Sequence, residues 1–199
     1  MLKANFITAQ EAAEKIQDGS TLCTIGMTLV SASESILKAI EKRFETVGHP
    51  ADITLVHSCG QSDRKDGIQH LAHEGLVKRI IGSHWGLQPR WMEMIANSQV
   101  EAYCLPQGQI AQLYRSMACG LPGKMSKVGL GTFIDPRVEG GKMNDRTKPL
   151  PDIVDILEYS GEEYMFYKEI PLDTVLIRGT VCDEMGNLTT TEEAMKLEV

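Results

Sequence analysis

Short apolar runs that alternate with stretches of helical spacing constrain this chain more than any other feature. Residues 21–26 (TLCTIG), 52–57 (DITLVH), 77–82 (VKRIIG) and 100–105 (VEAYCL) each read as a strand. Between the first two, Ile36, Leu37, Ile40, Phe44 and Val47 share one helical face, and Gly48-His49-Pro50 ends that helix. Residues 66–78 are helical in part, and Pro89 opens a helix that carries Trp91, Met94 and Ile95 on one side. Strand, helix and strand at such short spacing imply a mostly parallel sheet wrapped by helices.

The ends of these elements carry local signals. Thr8 with Glu11 is a capping box that opens a short first helix. Ser31-Ala32-Ser33-Glu34 opens the second helix, so a strand, a loop and a helix N-terminus follow one another, a geometry that offers backbone N–H groups to an anion. The fourth strand stops at Pro106-Gln107-Gly108, because proline removes a donor from the pairing, and residues 109–118 resume at helical spacing. In open α/β sheets ligands bind beyond the carboxyl ends of strands, which makes this corner, with the amide of Gln107, a candidate site. Residues 126–149 are rich in glycine, proline and charge and read as an irregular excursion; 152–157, 163–168 and 174–180 are short strands joined by turns at Ser160-Gly161 and Met185-Gly186-Asn187.

Residues 189–199 lead into a helical pattern with no closing glycine and no following strand. The expectation is a single domain, 1–199, cut from something longer, although a helix fraying at a true terminus would read the same way.

Composition narrows the classes. A net charge of −7, with no block of Lys or Arg, makes nucleic acid a poor partner. No run is long enough to cross a bilayer and no secretory signal is visible, so the expected location is cytoplasmic, with no membrane partner. Five dispersed cysteines without a C-x-x-C spacing argue against a disulfide framework or a zinc ribbon, and Cys23 and Cys104 read as small core residues.

Other patterns carry less. His70, His73 and Glu74 share a helical face but have no third ligand at a recognisable spacing, so no metal site is expected. Residues 129–134 (GLGTFI) lack the third glycine of a dinucleotide loop, and no G-x-S-x-G elbow is present. His57 and His84 follow strands, where a ligand could reach them, yet they read first as structural histidines. The acidic residues between Glu158 and Glu169 read as solvated strand faces.

Several stretches together resemble the family I coenzyme A transferases, in particular the fused short-chain enzymes of the acetate, propionate and acetoacetate type. They are residues 74–79 (EGLVKR), 82–86 (GSHWG), 105–108 (LPQG), 129–137 (GLGTFIDPR) with 140–144 (GGKMN), 163–168 (EYMFYK) and 176–187. The resemblance implies a three-layer α/β/α fold, an architecture shared with sugar-phosphate isomerases. It makes this chain the N-terminal, α-type half of an enzyme that passes coenzyme A between carboxylic acids.

In that family a glutamate forms an acyl anhydride and then a glutamyl-coenzyme A thioester. It belongs to the C-terminal, β-type half, so no catalytic nucleophile is expected here, and the chain alone is expected to be inactive. Coenzyme A and acyl-coenzyme A enter as substrates, no tightly bound cofactor is implied, and the β-type half and a homo-oligomer are the expected partners.

By the same resemblance Gln107, with Gly108, would hold the substrate carboxylate; the alternative, that Gln107 only caps the following helix, stays open. Gly26, Met27 and Thr28 occupy the loop after the first strand, where relatives carry more glycines. Ser58, Cys59 and Gly60 occupy the loop that in relatives lies near the substrate carbonyl. The 135–137 block is expected to fix a loop. The rival reading is a non-catalytic module that binds a sugar phosphate or another small ligand, which would call for a basic cradle at the strand ends. A further alternative is an assembly subunit whose apolar interface drives self-association.

Overall fold

In the computed structural model, which describes residues 3–193, the alternating runs form a five-stranded sheet. β1 (Thr21–Thr24), β2 (Ile53–His57), β3 (Val77–Gly82), β4 (Glu101–Cys104) and β8 (Thr174–Leu176) stand in the order β4-β3-β2-β1-β8, and every neighbouring pair is parallel. Register is set by burial on both faces. Leu22, Leu55, Ile80 and Ala102 stand in one row across the sheet, and Cys23, Val56, Ile81 and Tyr103 in the next. Successive side chains point to opposite faces, so the two rows fall into two separate cores.

The first core lies under α1 (Ala9–Glu14), α2 (Glu34–Val47), a 3-10 turn (Gly67–Leu71) and α3 (Pro89–Ala96). Thr8 and Glu11 form the expected reciprocal capping box, and Trp91, Met94 and Ile95 form the buried side of α3. The second core lies under α4 (Gln107–Ala118) and a separate antiparallel sheet, β5 (Gly123–Ser126), β7 (Glu162–Lys168) and β6 (Val154–Tyr159) in the order β5-β7-β6. The later strands therefore divide: two build this second sheet, and only β8 joins the parallel one. Val181–Cys182 (β9) and Leu188–Thr189 (β10) close a small hairpin through the Met185-Gly186-Asn187 turn. Of the helical pattern expected at 189–199, residues 194–199 lie outside the described residues. No helix among the described residues is long and apolar enough to cross a membrane.

The irregular excursion covers the outer edge of β4. The Cys104 N–H donates to the Gly141 carbonyl at 2.7 Å, and Met143 N–H to Ala102 O at 3.0 Å. Buried Asn144 donates to the carbonyls of Ile95 and Val100, both at 2.9 Å, while Thr147 Oγ1 accepts from Ala102 N–H at 2.8 Å.

Candidate functional site

The carboxyl ends of β1, β2 and β3 are stitched together by their loops. Gly26 follows β1 with φ at +141°, and a Cβ there would stand 2.7 Å from the Val30 carbonyl oxygen, so the turn requires glycine. Met27 and Val30 exchange backbone hydrogen bonds of 3.0 and 2.9 Å, and the Thr28 N–H donates to Gly60 O at 2.9 Å. Gly60 in turn lies under His84 and Gln88: a Cβ on it would meet His84 Cε1 and Gln88 Nε2 at 2.7 Å. The fold thus brings Gly26, Met27 and Thr28 against Ser58, Cys59 and Gly60. The second trio is buried, and Met27 is the exposed member of the first.

Gln107 stands apart from them. It is the first residue of α4 rather than a corner before it, Pro106 takes the N-cap position, and no side-chain capping bond is present. Gln107 and Gly108 are both exposed, and nothing lies within 4 Å of where a Gly108 Cβ would point. Two strands separate β4 from β1, roughly 14 Å at the usual spacing. The neighbours of this corner are the residues after β3 instead, through Leu105 N–H to Gly82 O at 2.9 Å and Cys104 Sγ to Ser83 O at 3.1 Å. Burial pushes the Cys104 thiol up to about 11, so it remains a protonated core-side group.

Motif reading missed the polar floor beneath these loops. Thr24 Oγ1 at the end of β1, Ser31 Oγ before α2 and Ser83 Oγ after β3 are buried hydroxyl oxygens without a hydrogen-bond partner among the described residues. Each such group costs about 1–3 kcal/mol, and Thr24 and Ser83 lie at the carboxyl ends of β1 and β3, where ligand binding in an α/β sheet is expected. Their only sequence signal is a small polar residue where an apolar strand stops or just beyond it. No Lys or Arg occurs in 24–28, 57–63, 82–86 or 104–108, so the basic cradle of the sugar-phosphate reading is missing from these segments.

The other patterns are structural or lie elsewhere. Arg137 makes a two-point contact with buried Asp135 at 2.8 and 3.0 Å and reaches Glu163 at 2.9 Å, while the Gly131 N–H donates to Asp135 at 2.9 Å. Together they hold the Asp135 carboxyl far below the usual carboxylate range and fix the loop. His57 is fully buried with its Nδ1 2.8 Å from Cys59 O. His70 and His73 face carboxylates of α2 on the opposite side of the sheet from α4.

Residues 6–199 match the coenzyme A transferase family. The chain belongs to that family. It is 43% identical over 187 residues to a caffeate CoA-transferase of Acetobacterium woodii, covering 94% of this chain and 35% of the relative. It is 38% identical over 194 residues to acetate CoA-transferase YdiF of Escherichia coli K12, covering 96% and 36%. The chain thus spans about a third of the length of these relatives. An acetate CoA-transferase subunit alpha from the same bacterium is matched over 76% of its length, at 26% identity and 94% of this chain. Among solved structures, the thioester complex with CoA of the acyl-CoA transferase YdiF from Escherichia coli O157:H7 superposes with a TM-score of 0.91 at 36% identity, over 96% of this chain and 37% of that one.

Proposed function

We propose that this chain forms one wall of the carboxylate pocket of a short-chain acyl-CoA:carboxylate CoA-transferase, as the α-type half whose β-type half supplies the glutamate nucleophile. Transfer runs in two halves: the glutamate attacks the acyl carbonyl and expels the coenzyme A thiolate to form an anhydride, the thiolate attacks the glutamyl carbonyl and releases the first acid as its carboxylate to leave a glutamyl thioester, and a second acid takes coenzyme A by the reverse steps and frees the glutamate. Gln107 carries the reading. It is exposed at the first position of α4 and stands beside the open space at Gly108. The leading N–H groups of a helix have no partner four residues back, so the same corner offers backbone donors as well. Neutral donors orient a carboxylate or an oxyanion without discharging the attacking glutamate, which fits the absence of Lys and Arg from 24–28, 57–63, 82–86 and 104–108.

A half-site also fits the shape of the chain. Two open clefts, of about 570 and 490 Å³, contain none of Gln107, Gly108, Gly26, Met27, Thr28, Ser58, Cys59 or Gly60. The relatives named for caffeate and acetate differ widely in acid size, so the chain's neutral corner is assigned to the carboxylate that all such acids share. No tightly bound cofactor is part of this reading; coenzyme A comes and goes as substrate, and the working form is an oligomer of paired halves.

The test is transfer of coenzyme A from acetyl-coenzyme A to propionate by this chain alone, by a complementary β-type half alone, and by the two together. Activity is expected only in the mixture, and turnover by this chain alone would overturn the division of labour. In the active mixture Gln107→Ala is expected to lower kcat by about 10²–10³, the usual loss for one oxyanion donor. An unchanged kcat would remove Gln107 from the site.

A further inference from the structure

Sequence spacing groups His70 with His73 and Glu74; the structure instead sets His70 against Asp66, four residues earlier, and against Glu34 of α2. Glu34 opens α2, Asp66 immediately precedes the 3-10 turn, and His70 lies within that turn. His70 Nε2 stands 2.8 Å from Glu34 Oε1 and 3.3 Å from Asp66 Oδ1, and the three donor atoms all lie within 4.8 Å of one another. Around a tetrahedral ion with bonds of about 2.0–2.1 Å, neighbouring donors stand roughly 3.3 Å apart, so the three need only small shifts to share one ion.

The other ring nitrogen makes the arrangement more than an acidic surface. Glu41 Oε2 holds His70 Nδ1, the carboxylate-to-histidine contact that fixes ring orientation and raises the basicity of the nitrogen opposite. The imidazole is only 12% exposed, so its Nε2 is committed to the Glu34 and Asp66 side. A cation already bridges those two carboxylates: Lys38 Nζ lies 3.1 Å from Glu34 Oε1 and 3.3 Å from Asp66 Oδ1. Its side chain is 54% exposed and can swing into solvent.

We propose that Glu34, Asp66 and His70 form a binding site for a zinc-class divalent cation, with Glu41 orienting the imidazole. The ion takes the place of the Lys38 ammonium and of any proton on His70 Nε2, which passes to solvent. One imidazole with two carboxylates suits zinc or cobalt; magnesium and calcium favour all-oxygen sets. The site lies on the α2 face of the sheet, independent of the pocket proposed above, and a bound ion would clamp residues 66–70 to the start of α2.

Calorimetric titration of the full chain tests this, in a Cys119→Ser, Cys182→Ser background that removes the exposed thiols. Zinc chloride is expected to bind at one equivalent and magnesium chloride to show no saturable heat. Cobalt should give a visible spectrum without thiolate charge transfer. His70→Asn is expected to abolish binding, and Glu34→Gln and Asp66→Asn to weaken it at least tenfold. Glu41→Gln should weaken it 10- to 100-fold, Lys38→Ala should tighten it, and His73→Asn should leave the stoichiometry unchanged. Absence of saturable zinc binding, equal binding of magnesium, or binding that survives His70→Asn would each overturn the proposal. So would loss in His73→Asn, which would point to the neighbouring Glu41, Glu45 and His73 group instead. Circular dichroism checks folding; if His70→Asn does not fold, unchanged affinity in both Glu34→Gln and Asp66→Asn overturns it.

Discussion

His57 has no solvent exposure, and burial is the main reason its pKa drops to about 4, with His84 adding to the drop and the Cys59 carbonyl opposing it. The neutral ring keeps a proton on Nδ1 for Cys59 O at 2.8 Å, and Nε2 has no partner among the described residues. Between about pH 6.5 and pH 4 the unfolded chain takes up a proton that the folded chain refuses, so stability falls as pH falls through that window. The loss is about 3 kcal/mol by the bottom of it. Replacing His57 with Gln should flatten this part of the acid limb, measured as urea midpoints at pH 7, 5.5 and 4. A variant whose midpoint drops as steeply as the parent's would show that other groups set the acid sensitivity. At the same scale the sequence singled out Gln107 and Gly26 as candidates but gave no sign of the hydroxyls of Thr24, Ser31 and Ser83, which lack a partner among the described residues, because an orphaned oxygen is a property of what surrounds it.

Among the elements, those with local causes were readable in the sequence and those with distant causes were not. The capping box of α1, Pro89 at the start of α3 and the turn at Ser160-Gly161 are set within a few residues. α4 begins two residues earlier than helical spacing suggests, since Pro106 has the fixed φ of −62° that suits an N-cap and Gly108 tolerates the first turn. β8 stops at Leu176 because its pairing partner β1 stops at Thr24, a limit set about 150 residues away in sequence. The 126–149 excursion looked like a loop and is one, yet it is pinned by Asn144, whose side chain donates to Ile95 O and Val100 O and accepts from Thr147 N–H and Oγ1. Asn144→Ala leaves two buried carbonyls short of donors and should cost about 3 kcal/mol. A denaturant midpoint within experimental error of the parent would show that the excursion holds without it.

At the scale of the whole molecule, the parallel sheet and its two faces followed from alternation and spacing, while the second, antiparallel sheet did not. Both kinds of strand alternate in the same way, and only the partner decides which sheet each joins. The same limit applies to function. The loops after β1 and β2 meet, while Gln107 belongs beside the loop after β3, proximities set by strand order alone. The two margins of the parallel sheet are also unlike. β4 is covered by hydrogen bonds from Gly141 and Met143, whereas β8 pairs only with β1 among the described residues, with Val175 and Ile177 about 40% exposed beside it. Amide exchange should follow: Cys104 slow, Leu176 faster by at least tenfold in the isolated chain. Equal protection would mean that the β8 margin is covered in solution.

The seal along β4 gives the molecule a direction. Strands can be added to this sheet beyond β8 but not beyond β4 unless 141–143 first comes away, so the same excursion that stabilises one flank also forbids two copies from pairing there edge to edge.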